Sequence, residues 1–210
     1  MNICIVIVVA YLMGSIPFGL IIGLARGIDV RTVGSKNIGA TNVLRTVGRP
    51  WGILAFALDF GKGVAGAVLA PLLANAVCGG APAPDIAALA GGLAAVAGHT
   101  WPVWLRFRGG KGVATSAGML VAIAPAAVGI AFAVWLVVLI ASRYVSLASI
   151  SAAAALAVAI WLRASHSAPH WWLVPALVTA LAVLVIARHH ANIARLMSGT
   201  ENRFSWKHRG

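Results

Sequence analysis

From Ile3 to Ala25 the chain carries no charged residue, and further apolar stretches follow from Trp51 to Val77, Asp85 to Leu105, Val113 to Ala141, Tyr144 to Leu162 and Trp171 to Ala187. About 20 consecutive apolar residues cross a bilayer. Backbone inside lipid must satisfy its own hydrogen bonds, so runs of this length force membrane-spanning helices. The composition agrees: 61% of the 210 residues are apolar and 10% charged, against about 45 to 50% and about 25% in a soluble domain. Water-soluble, disordered and collagen-like classes are excluded. Little chain is left for a soluble domain, and residues 1–210 read as a single integral membrane domain, all-α and polytopic. The first stretch is longer than a signal-peptide core of about 7 to 15 residues. No basic residue precedes it and no small-residue cleavage site follows, so it reads as a retained span. Gly19, Gly23 and Gly27 recur every four residues, which predicts three glycines on one helix face and a close helix contact.

The charge is one-sided, 16 Lys and Arg against 4 Asp and Glu for a net +12. Such a balance points to nucleic acid, a membrane surface or a small anion, and the apolarity removes nucleic acid as a partner. Arg26, Arg31, Lys36, Arg45 and Arg49 fill the first loop, Arg106, Arg108 and Lys111 the third, and Arg188, Arg195, Arg203, Lys207 and Arg209 the tail; the loop from Cys78 to Pro84 has none. Cytoplasmic loops concentrate Lys and Arg. An outside N-terminus puts the first and third loops inside, but six crossings would then leave the basic tail outside. Val113 to Ala141 resolves the conflict, because it is too long for one span and contains Pro125, which breaks or kinks a helix interior. Two short helices around Pro125 bring the count to seven transmembrane helices, with the N-terminus outside and the C-terminus cytoplasmic. Every basic residue then faces the cytoplasm except Lys62, inside a span, and Arg163, outside. Cys4 and Cys78 fall near the outer face without metal-like spacing, and the Ala-rich run Ser151 to Ala159 is what helix propensity favours.

Chemistry gathers in three clusters. The first loop, Gly34-Ser35-Lys36-Asn37-Ile38-Gly39-Ala40-Thr41-Asn42-Val43-Leu44-Arg45, combines glycines, hydroxyls, amides and two cations, as a nest of backbone N–H groups around a phosphate would. A solvated turn-rich loop whose basic residues only orient the chain is the alternative. The second, Arg106-Phe107-Arg108-Gly109-Gly110-Lys111-Gly112-Val113-Ala114-Thr115, opens a helix, whose N-terminus attracts anions. It is no Walker A loop, since Lys111 is followed by Gly112 and position 105 is Leu. The third, Arg188-His189-His190-Ala191-Asn192-Ile193-Ala194-Arg195, sets Arg188, His189 and Asn192 on one helix face; lipid-headgroup binding is its alternative. Three clusters on one membrane face favour a shared anionic ligand. Inside the spans, Asp59 and Lys62 are expected to neutralise each other, and His99 to be a hydrogen-bonded packing residue. Ser142, Ser146 and Ser149 suit helix capping or bonding between helices.

Gly14-Ser15-Ile16-Pro17-Phe18-Gly19, the first cluster, Leu58-Asp59-Phe60-Gly61-Lys62-Gly63, Gly98-His99-Thr100-Trp101-Pro102 leading to the second cluster, Arg143-Tyr144-Val145-Ser146 and the third cluster follow one another in the chain. In that order they resemble the bacterial acyl-phosphate-dependent glycerol-3-phosphate acyltransferases, from Gly14 to Glu201. One departure is Lys36, where the family often has Gly. The resemblance implies transfer of a fatty acyl group from acyl phosphate to the 1-hydroxyl of sn-glycerol 3-phosphate, giving lysophosphatidate and phosphate, the first step of phospholipid synthesis. It implies a multi-pass protein of the bacterial cell (inner) membrane with its site on the cytoplasmic face, no metal and no cofactor. Transient contact with an enzyme that makes acyl phosphate stays open. By motif position, Ser35, Asn37, Arg45 and Lys111 would hold glycerol 3-phosphate, with His189 and Asn192 closing the site. Gly34, Lys36, Gly39, Thr41, Asn42, Arg108, Gly110, Gly112, Thr115, Ser146 and Arg188 would add contacts or backbone shape. The donor is an activated mixed anhydride, so orientation and charge stabilisation are the main demands. The hydroxyl proton would go to a substrate phosphate oxygen in preference to His189, and a covalent acyl-Ser35 is disfavoured because no His and acid flank it. The absence of an H-x-x-x-x-D pattern argues by resemblance against acyl-CoA as donor. The other classes considered are an anion or phospholipid transporter, whose site belongs near the midplane between repeats, and a lipid-binding scaffold.

Overall fold

The computed structural model describes residues 3–78, 84–165 and 171–205. The basic-free loop after Cys78 and the tail positions Lys207 and Arg209 lie outside them. All regular structure among the described residues is helical, as the apolar runs require. The chain divides into two compact units, Met1–Ile123 and Ala124–Gly210.

In the first unit, α1 (Ile3–Gly14) and α2 (Phe18–Ala25) are followed by α3 (Ala40–Thr46), α4 (Arg49–Cys78), α5 (Pro84–Thr100), a 3-10 turn (Val103–Leu105) and α6 (Val113–Ile123). The long α4 is the spine, packing against α1, α3, α5 and α6. Glycine permits the close approach: a Cβ on Gly63 of α4 would meet the Thr115 backbone, and one on Gly118 of α6 would meet that of Phe60. The first apolar stretch is not one helix, because Pro17 lacks an N–H and disfavours helical backbone before it. The chain breaks between α1 and α2, with the Ser15 hydroxyl donating back to the Tyr11 carbonyl at 2.8 Å. The glycine stripe is corrected too. Gly19 and Gly23 lie on α2, but they press against the Ile38 and Ile28 carbonyls of the following loop, and Gly27, at φ +74°, lies past the helix end. The contact they permit is with a loop folded back on α2.

In the second unit, α8 (Val145–Leu162) packs against both α7 (Pro125–Ser142) and α9 (Leu173–Ala187), and α10 (His190–Met197) follows α9 after a 53° bend. Among the described residues, five segments are long and apolar enough to cross a membrane, six if the bent α9–α10 pair is one span. The protein is therefore an all-α polytopic membrane protein. The break expected near Pro125 is present, at Ala124. Its halves are unequal: α7 has 18 residues and meets the length of a span by itself, whereas α6 has 11, a rise of about 16 Å.

Candidate active site

The first basic loop is built on apolar anchors. Val30, Ile38 and Val43 are buried with Leu20, Ile22 and Ala55, which pins the backbone on both sides of the polar turn. Asn42 then organises that turn. Its side chain, 2% exposed, donates to the Val30 and Asn37 carbonyls at 2.8 Å and the Val33 carbonyl at 3.2 Å, and accepts the Ser35 N–H at 2.9 Å. The turn needs left-handed backbone at Gly34 (φ +59°) and Lys36 (φ +56°). A Cβ at Gly34 would strike the Asn42 amide. Asn37 accepts the Gly39 N–H at 2.9 Å and the Val33 carbonyl accepts that of Lys36 at 3.0 Å. At the loop's start, hydrogen bonds from the Arg31 side chain and backbone hold Asp29 at a pKa of about 2.

This geometry revises the expected nest. The N–H groups of Ser35, Lys36 and Gly39 are spent inside the loop, and Asn42 faces inward. What the loop presents are side chains: Ser35 and Asn37 half-buried, Lys36, Thr41 and Arg45 exposed. Residues 40–46, expected as loop, form α3. One helical turn puts Thr41 and Arg45 on a common face, while Asn42 and Val43 supply the buried one.

The second loop begins where Leu105 packs against the same apolar cluster that anchors the first, so the two loops share a core. Left-handed Arg106 (φ +50°) and Phe107 (φ +62°) reverse the chain. Gly109 and Gly110 then donate their N–H groups to the Thr100 and His99 carbonyls, at 3.2 and 3.0 Å, and α6 starts at Val113. These amides are also spent within the fold. Arg108 is exposed, Lys111 half-buried, and Gly110 and Gly112 buried. Thr115 is fully buried on α6, where its hydroxyl has no hydrogen-bond partner among the described residues. The expected Asp59–Lys62 pair is present at 2.8 Å, with His99 as a third member.

In the second unit the third cluster closes around a carboxylate that the motif reading left unassigned. Glu201 Oε1 accepts the Asn192 amide at 2.7 Å and the Ser146 hydroxyl at 2.9 Å, and Oε2 accepts Arg195 Nε at 2.7 Å. Burial alone would raise the Glu201 pKa, but the hydrogen bonds from Asn192, Arg195 and Ser146 outweigh it and hold the carboxyl below its ordinary value. The segment around it is tied down as well: the Phe204 N–H donates to the Arg143 carbonyl at 2.6 Å, and Arg203 donates to the Tyr144 hydroxyl at 3.0 Å while its guanidinium covers that ring. His189 is 2% exposed, with Nδ1 2.7 Å from the Val185 carbonyl. A carbonyl only accepts, so Nδ1 carries the proton and Nε2 of the neutral ring is the acceptor. Arg188 is half-buried. Ser142 and Ser149 behave as expected: Ser142 bonds its own helix and the Tyr144 N–H, and Ser149 accepts Trp135 Nε1 from α7 at 3.3 Å. Ser146 does not, since Glu201 claims it. The available signal for Glu201 was rarity, one of 4 acidic residues in a +12 chain.

Residues 4–199 match the family model described as glycerol-3-phosphate acyltransferase. A glycerol-3-phosphate acyltransferase of Desulforamulus reducens is 44% identical over 96% of this chain and 95% of its own. That of Trichlorobacter lovleyi is 47% identical over 93% and 94%. Among solved structures, PlsY (YgiH), an integral membrane glycerol 3-phosphate acyltransferase, superposes in its glycerol 3-phosphate form with a TM-score of 0.83 at 38% identity, covering 97% of this chain and 96% of that one. Its lysophosphatidic acid form gives a TM-score of 0.80.

Proposed function

Because this chain belongs to the glycerol-3-phosphate acyltransferase family, we propose that it makes lysophosphatidate by moving a fatty acyl group from acyl phosphate to the 1-hydroxyl of sn-glycerol 3-phosphate. It is an enzyme of phospholipid synthesis and an integral membrane protein. The observation that carries the substrate assignment is the common core under the two basic loops of the first unit, Ile38 and Val43 beneath one and Leu105 at the root of the other. It makes Ser35, Asn37, Arg45 and Lys111 a coherent set for an anion's phosphate. Both substrates carry phosphate, and their mutual repulsion has to be offset by fixed positive charge.

In the reaction the 1-hydroxyl oxygen attacks the acyl carbonyl, the carbon–oxygen bond to phosphate breaks, and the hydroxyl proton passes to a phosphate oxygen of the substrates. The anhydride is already activated, so orientation and charge stabilisation supply most of the acceleration. In the second unit His189 Nε2 and the Asn192, Ser146 and Arg195 set around Glu201 are assigned to hydrogen-bonding the substrates, His189 as an acceptor whose ring is held by Val185. Thr41, Lys36, Arg108 and Arg188 add positive charge or hydrogen bonds; Gly34, Gly39, Gly110, Gly112 and Asn42 give the loops their shape. Residues 1–210 act as one catalytic domain. Seven crossings, counting α6 and α9, with the N-terminus outside, put the basic loops and the site on the cytoplasmic side, as the Lys and Arg distribution favours.

The test is the purified protein in lipid, given acyl phosphate and glycerol 3-phosphate. Phosphate release matched by lysophosphatidate formation is expected. Neither product from protein that is inserted and folded would refute the enzyme reading and return a transporter or scaffold to consideration.

A further inference from the structure

Asp59, Lys62 and His99 take no part in the substrate assignment. Asp59 Oδ1 lies 2.8 Å from Lys62 Nζ and 3.4 Å from His99 Nδ1, with all three side chains at most 5% exposed. Charges in an apolar interior are costly unless paired, yet the Asp59–Lys62 pair, three apart on α4, would meet that need alone. The cluster reaches two further elements. Lys62 Nζ also donates to the Ile16 carbonyl at 2.9 Å, holding the break between α1 and α2, and Asp59 faces the imidazole of His99 in the last turn of α5. The same ring lies against Gly110. The three atoms nearest a Cβ built at Gly110 all belong to the His99 ring, Nε2 foremost, and the Gly110 N–H donates to the His99 carbonyl at 3.0 Å. Ring and backbone of one residue thus fix Gly110, and Lys111 is next in the chain.

We propose that the buried Asp59–Lys62–His99 cluster positions the glycine-rich loop 109–112, with His99 setting where Lys111 presents its charge to a substrate phosphate. This rests on the phosphate-binding role given to Lys111 above. His99 is a positioning residue and touches no reacting atom.

Three measurements test it in full-length protein in lipid. His99→Asn keeps a donor toward Asp59 and removes the ring beneath Gly110. Its KM for glycerol 3-phosphate should rise about tenfold while kcat changes less than about threefold, the signature of lost binding geometry; a fall in kcat with KM unchanged counts against positioning. Gly110→Ala should lose most activity because its methyl meets the ring. Combined with His99→Ala it should regain about tenfold, since contacting residues couple by that order; additive losses would overturn the proposal. Where His99→Ala fails to insert, His99→Asn removes the same ring and serves in the cycle. The third measurement does not need the reaction: hydrogen exchange at the Gly109 and Gly110 amides should accelerate in His99→Asn and Asp59→Asn, with the α6 interior unchanged. Unaltered loop exchange sinks the idea even where turnover falls. Accelerated exchange in a protein whose wild type shows no turnover upholds positioning and removes only the acyltransferase reading.

Discussion

At Asn42, four hydrogen bonds converge on one buried side chain, whereas Arg45, three residues on, is exposed on the same short helix. The two positions should fail differently. Asn42→Ala strands buried carbonyls at about 1 to 3 kcal/mol per group left unpaired, so thermal melting in detergent should show lost stability together with a raised KM for glycerol 3-phosphate. Arg45→Ala and Lys111→Ala instead remove charge that holds a substrate phosphate, so kcat/KM should fall on the order of a hundredfold or more with a raised KM for glycerol 3-phosphate, while membrane insertion is retained. Near-normal turnover in either would refute the phosphate assignment. His189→Gln separates two proton acceptors. If a substrate phosphate takes the proton, partial kcat remains; complete loss with glycerol 3-phosphate binding preserved would make His189 the base. The Lys36 φ of +56° is one that glycine adopts at little cost.

The segment after α10 works as a strap, and its key bond joins Glu201 to Ser146, far apart in sequence. Because its hydrogen bonds lower the Glu201 pKa from the ordinary 4.5, the carboxylate contributes stability that is fully present above that value and lost as pH falls through the depressed folded one. Melting temperatures of wild type and Glu201→Gln should therefore differ at neutral pH, by the equivalent of about 1 to 3 kcal/mol for lost charge-assisted bonds, and converge in acid; a pH-independent difference would count against the linkage. Elements of this kind mark where sequence was readable. The apolar runs announced the spanning helices and Pro125 announced the break before α7, because lipid and proline impose local rules. The break at Ser15–Pro17 and the helix α3 were hidden, since Pro17 lies in a run that one span can hold and a turn-rich loop admits more than one backbone. The Glu201 hub was hidden for a different reason: periodicity says which face a residue takes, not which distant element returns to meet it.

Over the whole chain the +12 charge leaves its few acids with structural duties: Asp29 pairs with Arg31, Asp59 with Lys62 and His99, Glu201 with Arg195, and Asp85 sits in the first turn of α5, where a helix dipole favours it. The net excess of Lys and Arg is what orients a chain in a membrane and attracts phosphate. Orientation depends on the crossing count, and α6 decides that count, since its 11 residues are short of the about 20 that span an unthinned bilayer. If α6 crosses, Lys36, Arg108 and Arg203 share a face and Arg163 lies opposite. If residues 113–142 cross once, Arg163 joins Lys36 and Arg203 changes sides. All four side chains are exposed, so cysteines placed one at a time at these positions, with Cys4 and Cys78 replaced by Ser, can be labelled with a membrane-impermeant maleimide in sealed vesicles of known orientation. The expected pattern is labelling at 36, 108 and 203 from the cytoplasmic side and at 163 from the other. Labelling of 203 opposite to 36 would reduce the count to six and put the Glu201 strap on the opposite face from Lys36.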